Sequence, residues 1–191
     1  MRILYAALSI SIIFCTAFAQ QPDSPAPPPS SLGQPTQVVA ASNRDKQWLP
    51  TEIQRQSIVS GTYAYFRAKD DGRFADAYAA FSAGQKALVA FNPWKRDMEQ
   101  FYSRAGAAAS RALHKVTWYN DAANSEPGVY AAVDFSSQFP ELSLHCGYIV
   151  WQQQADGSFA ITREEENAIP KSAMSKMTPD MVRNIRAQFR C

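Results

Sequence analysis

VYAAVDFSSQFPELSLHCGYIVWQQQADGSFAITR, running from Val129 to Arg163, is the stretch whose reading decides the fold. Val129, Ala131, Val133 and Phe135 alternate with Tyr130, Ala132, Asp134 and Ser136. After Pro140-Glu141, Leu142, Leu144, Cys146, Tyr148 and Val150 alternate with Ser143, His145, Gly147, Ile149 and Trp151. A period of two is the mark of a strand with one buried face. Asp156-Gly157 reads as a two-residue hairpin turn into a further strand carrying Phe159 and Ile161. Ala112 to Asn120 supplies an earlier strand, and Asn124 to Gly128 a polar loop. The expectation is a four-stranded antiparallel meander.

Upstream the period changes. Thr51 can cap a helix reaching about Lys69, with Val59, Tyr63 and Phe66 on one face, and Asp70-Asp71-Gly72 ends it. Phe74, Ala77, Tyr78 and Phe81 keep the i, i+3, i+4, i+7 spacing of an amphipathic helix. Ser82 with Gln85 resembles a capping box, and Asn92-Pro93 opens a longer helix with Trp94, Met98, Phe101 and Tyr102 on one face. Thr178-Pro179-Asp180 begins a short final helix. Helices followed by a meander give an α+β fold class rather than alternating βαβ units.

Hairpin geometry assigns the sheet faces. With Phe139 opposite Leu142, Phe135 faces Cys146 and Val133 faces Tyr148; with a two-residue turn at Asp156-Gly157, Gln152 faces Ile161. The helices then cover Val133, Phe135, Leu144, Tyr148, Val150, Phe159 and Ile161. Tyr130, Asp134, His145, Ile149, Trp151, Thr162 and Glu164 share the outer face.

The amino end reads as an export signal. Arg2 supplies a positive charge, Ile3 to Phe14 is an apolar run too short for a membrane span, and Ala17-Phe18-Ala19 offers small residues for cleavage after Ala19. Periplasmic or secreted localisation follows. Residues 20–45 are rich in proline, serine and glutamine and are expected to be a disordered linker, leaving residues 46–191 as a single α+β domain. Of three cysteines, cleavage leaves Cys146 and Cys191, which an oxidising compartment favours as a disulfide. Two free thiols are the alternative.

Further motifs carry a likeness. RAGAAASRAL, with Gly106 and Arg111, EPGVYAAVDFSSQF (Glu126 to Phe139) and YIVWQQQADGSFAITR (Tyr148 to Arg163) resemble the bacterial exported proteins called domain of unknown function 4019. Phe159 stands where that family's D-G-x-W turn has tryptophan, and Arg163-Glu164-Glu165 replaces a glycine-tyrosine ending. The resemblance covers Phe81 to about Ile169 and carries no catalytic residues. It also looks like the cone-shaped nuclear-transport-factor-2-like fold, which hosts isomerases, dehydratases, binding modules and secretion components alike.

Chemistry is sparse. Net charge is +2, with lysines and arginines spread among the acids, so no nucleic-acid-binding surface is expected. Asp134 and His145 are the one pair worth weighing as acid and base, as diagonal neighbours on adjacent strands, although a surface hydrogen bond or ion pair is the simpler reading. His114 could reach a cavity, or sit on the sheet surface. Ser136 and Ser137 lack a nucleophile's setting. No metal set is expected, the EEEN run (Glu164 to Asn167) reads as a solvated strand end, and no cofactor is expected. Tyr130 and Trp151, as outer-face partners, mark a contact surface or lie under the last helix. Arg111 and Arg104 could bind an anionic ligand, or pair with an acid such as Glu99.

The function expected is an exported, non-catalytic binding or interaction module, with a small molecule or an envelope protein as partner, or a homodimer through the outer sheet face. An isomerase or dehydratase with a cavity between helices and sheet, or a structural accessory of the envelope, are the alternatives.

Overall fold

A computed structural model describes residues 34–40, 48–122 and 125–189, which belong to one compact unit. The expected export signal at residues 1–19, the linker as far as residue 33, and Cys191 lie outside the described residues. In chain order the elements are β1 (Thr36–Val39), α1 (Glu52–Asp70), α2 (Phe74–Ala79), α3 (Ala83–Leu88), α4 (Phe91–Ala105), β2 (Ser110–Asn120), β3 (Val129–Gln138), β4 (Leu142–Gln153), β5 (Phe159–Pro170), α5 (Lys171–Met174) and α6 (Pro179–Phe189). Among the described residues no helix is long and apolar enough to cross a membrane.

The α+β arrangement holds, but the four-stranded antiparallel meander does not. The sheet has five strands in the order β1-β2-β3-β4-β5, and β1 lies parallel to β2. Four residues between prolines and small residues give a weak strand signal; the open edge of β2 makes them one. Ala40 N–H donates to the Trp118 carbonyl at 2.9 Å, and Trp118 Nε1–H donates to Gln37 Oε1 at 2.7 Å. The covered edge is also kept from other chains.

The face assignment of β4 is reversed. Ser136 faces Cys146, Phe135 faces Gly147, and Val133 faces Ile149, one residue away from the expected register. A slip of one turns every side chain of a strand over. Its cause lies at both ends of β4. Glu141 N–H bonds the Ala105 carbonyl and its own carbonyl takes the Lys171 N–H, so the turn is tied to α4 and α5 instead of closing as a plain hairpin. At the far end Gln154 N–H donates to the Ser158 carbonyl across a three-residue loop, with Gly157 at φ 85° taking the left-handed position such loops require. A bulge between Val150 and Trp151 adjusts the pairing with β5.

The core therefore fills the space between the helices and one sheet face. Ile58, Tyr65 and Phe66 of α1 meet Val116, Trp118, Val133, Phe135, Ile149, Trp151 and Ile161 from the sheet. Thr51 and Gln54 form a capping box at the start of α1. The buried stripe of that helix is Ile58, Thr62, Tyr65, Phe66 and Lys69, turned about one residue from the expected Val59, Tyr63 and Phe66. A smaller apolar cluster lies on the other sheet face, where Leu144, Cys146 and Ile169 pack with Ala173, Met174, Met177, Ile185 and Phe189 of α5, α6 and the turn between them.

Candidate functional site

Two groups of polar residues stand out, one on each face of the sheet. Under the helices, Lys69 is 1% exposed. Its ammonium donates to Glu164 Oε1 at 3.0 Å and Glu166 Oε1 at 2.8 Å, and Tyr65 O–H donates to Glu164 Oε2 at 2.6 Å. Two carboxylates thus share one cation in a dry setting. Burial pushes Glu164 up to about 7, with the charge of Glu166 adding to it against the pull of Lys69. Burial also opposes the charge on Glu166, but Lys69 and His145 outweigh it and hold that carboxyl far below the ordinary range. Lys69 is raised, since the two glutamates overcome the cost of its burial.

Beside this cluster Arg111 is clamped. Its guanidinium donates to both carboxylate oxygens of Asp70 at 2.9 and 2.7 Å, to Ser137 Oγ at 2.8 Å and to the Tyr102 hydroxyl at 2.9 Å. It lies over the Phe66 ring at 4.3 Å. Four of its five N–H groups are used, so Arg111 ties the end of α1 to β2 and β3. Its partner is Asp70, not Glu99, which pairs with Lys95. Arg104 is exposed at the end of α4 and borders a smaller hollow of about 390 Å³ with Phe101, Glu141 and Ala168.

Asp134 and His145, the acid–base candidates, lie on opposite faces of the sheet. Asp134 pairs with Lys115 at 2.8 Å on the outer face. His145 is 2% exposed among Phe101, Phe135 and Phe139, with Glu166 Oε2 at 3.9 Å and both ring nitrogens lacking a hydrogen bond. The register slip separates them. The same slip buries Trp151, whose indole N–H donates to Thr62 Oγ1 at 3.0 Å, and leaves Tyr130 on the outer face opposite Gln152. The expectation that Tyr130 and Trp151 share a contact surface is thus corrected. His114 sits exposed at a bulge in β2, 2.7 Å from Ser136 Oγ. Cys146 is buried on the outer face beside the C-terminal helices, and Cys191, its expected partner, lies outside the described residues. The EEEN run is not a solvated end, because Glu164 and Glu166 turn inward to Lys69.

The inner cluster had a signal in the sequence. Lys69 follows Tyr65 by four and Ile58 by eleven, which places it on the buried stripe of α1. Glu164 and Glu166 are two apart on a strand and so point the same way.

The outer face carries the open concavity. A groove of about 980 Å³ is bordered by Lys115, Thr117 and Tyr119 of β2, Tyr130, Ala132 and Asp134 of β3, Tyr148 and Val150 of β4, Glu165 and Asn167 of β5, and Gln188 and Phe189 of α6. Three rows cross it. Lys115, Asp134, Tyr148 and Glu165 are successive partners across four strands; Thr117, Ala132 and Val150 form the next row; Tyr119, Tyr130 and Gln152 the third. The middle row is small and lies low between taller neighbours. The Tyr130 hydroxyl is held by the Gln152 amide at 2.9 Å and donates to the Glu126 carbonyl at 3.0 Å. Among the described residues no three His, Cys, Asp or Glu side chains gather as a metal-ligand set.

Residues 62–163 match the family described as "Protein of unknown function (DUF4019)". No curated protein and no solved structure matches the chain.

Proposed function

The chain belongs to the DUF4019 family of proteins of unknown function, and from that premise we propose that it is a non-catalytic binding module whose ligand occupies the groove on the outer sheet face. The observation that carries this reading is the groove itself: its volume falls within the range of small-molecule sites, and aromatic and polar side chains converge on a shallow floor. The side of the sheet under the helices is filled by large side chains, Trp118, Phe66 and Phe135 among them, and its charged groups are engaged with one another. That favours binding over an isomerase or dehydratase working between helices and sheet.

Two further parts of the reading concern setting. Export to the periplasm or beyond rests on Arg2, the apolar run to Phe14 and the Ala17-Phe18-Ala19 cleavage pattern. A Cys146–Cys191 disulfide rests on that compartment and on Phe189, two residues before Cys191, packing in the same cluster as Cys146. Such a bridge would fasten the α6 wall of the groove.

Ala132→Trp tests the site by filling its floor. Native mass spectrometry of the purified chain should find a retained small molecule in the wild type and none in the variant, with thermal unfolding essentially unchanged because Ala132 opens onto the groove. Equal retention by a folded variant would remove the groove as the site. If the face instead joins two copies, sedimentation will show a dimer that Ala132→Trp dissociates.

A further inference from the structure

From the residues that border the outer groove we infer its ligand class: an uncharged oligosaccharide. This rests on the groove being the binding site.

The first argument is electrostatic. Among the described residues that border the groove, Asp134 and Glu165 are set against one lysine, Lys115, which is already paired with Asp134 at 2.8 Å. Glu165 is paired with Arg163. A phosphate, a fatty acid or a nucleotide would bring its charge to a surface where both of these cations are already engaged by carboxylates. A purely apolar ligand fares no better, because it would strip water from Asp134, Glu165, Asn167 and Gln188 without replacing their hydrogen bonds.

The second argument is shape. The Tyr119–Tyr130 row and the Asp134–Tyr148 row stand four residues apart along β3, about 13 Å at 3.3 Å per residue. Between them lies the low floor of Thr117, Ala132 and Val150. A slot of that width, open along its length, suits a ring lying flat with neighbouring rings continuing the chain. An extended peptide lacks an equivalent foothold along the floor, since the backbone groups of β2, β3 and β4 already pair with neighbouring strands.

The third argument is chemical fit. A pyranose ring has C–H faces that pack on aromatic rings and a rim of hydroxyls that both donate and accept. Tyr119, Tyr130 and Tyr148 supply rings; the carboxylates of Asp134 and Glu165 accept, and the amides of Asn167 and Gln188 do both. Neutral, amphipathic and hydroxyl-rimmed is the one description that all three arguments share.

The test is calorimetric titration of the folded chain with chitotetraose and, separately, cellotetraose. Binding of either, weakened about ten-fold or more by Tyr148→Ala and lost in Ala132→Trp, supports the inference; binding of chitotetraose alone assigns acetamido groups to the site. Tyr148→Ala removes bulk rather than adding it, so it keeps the test sound if Ala132→Trp misfolds. No heat with either sugar at roughly 10 mM, a concentration that reveals even millimolar affinity, overturns the inference, as does equal binding by both variants. Silence from both sugars, together with a molecule retained by the wild type and lost in Ala132→Trp, sinks the sugar and leaves the groove standing. Silence from both assays sinks the two together.

Discussion

Lys69→Met is expected to cost about 3–5 kcal/mol of folding stability near neutral pH, because it leaves two carboxylates buried without their cation. The pH dependence identifies the cause. In the native chain Glu166 is held below the unfolded value near 4.3, so its pairing stabilises the fold above that pH and is lost as acid protonates it. Glu164 works in the opposite sense. Its folded carboxyl is raised to about 7, so the fold keeps a proton the unfolded chain releases, and stability declines as pH rises from about 4.5 through 7. Without Lys69 both carboxyls shift upward, and the deficit of the variant should be largest at alkaline pH and shrink toward about pH 5. Adding Glu164→Gln and Glu166→Gln to Lys69→Met should restore a large part of the loss, since the unpaired charges are gone. Denaturant unfolding of the three proteins at several pH values measures all of this. A Lys69→Met protein as stable as the wild type at pH 8 would show that the cluster holds nothing together.

Gly147→Ala should be nearly as damaging, by a different route. An added Cβ there lands well inside contact distance of the Glu165 carbonyl oxygen and 2.9 Å from its carbon. These are backbone atoms of the paired strand, so relief requires β4 and β5 to part, and a loss on the order of 3 kcal/mol or more follows. Gly84→Ala is the control: the space beside it holds only Ser82 Oγ at 3.9 Å, and within a helix alanine should add about 0.4–1 kcal/mol. Similar melting curves for the two variants would refute the packing argument.

Most of the elements were legible, though the short strand β1 and the single-turn α5 were not. Period two gave β2 to β4 and the start of β5, helical spacing and caps gave α1 to α4, and Thr178-Pro179 marked α6. What the pattern could not carry was anything set by contacts between distant segments. Both strand ends of β4 looked like two-residue hairpins; a bond from Glu141 to the end of α4 and a three-residue loop before Ser158 moved the register by one. That single step took Trp151 and His145 inward and Cys146 and Tyr148 outward, and with them the pairings expected for Tyr130 and Asp134. Lys69, although its spacing puts it on the buried stripe, is easily passed over for another reason. A lysine at a helix end reads as solvated, and only the two glutamates, some 95 residues later, make its burial tolerable. The outer groove follows from the same register, since Ala132 and Val150 become its floor only when they are partners.

The parallel strand Thr36–Val39 bears on where the chain can be cut. A version beginning at Trp48, just ahead of α1, would strip the outer rim of β2 and leave its amides and carbonyls, from Lys115 to Trp118, seeking company. Clumping of such a trimmed protein would report a missing selvedge, and nothing about its biology.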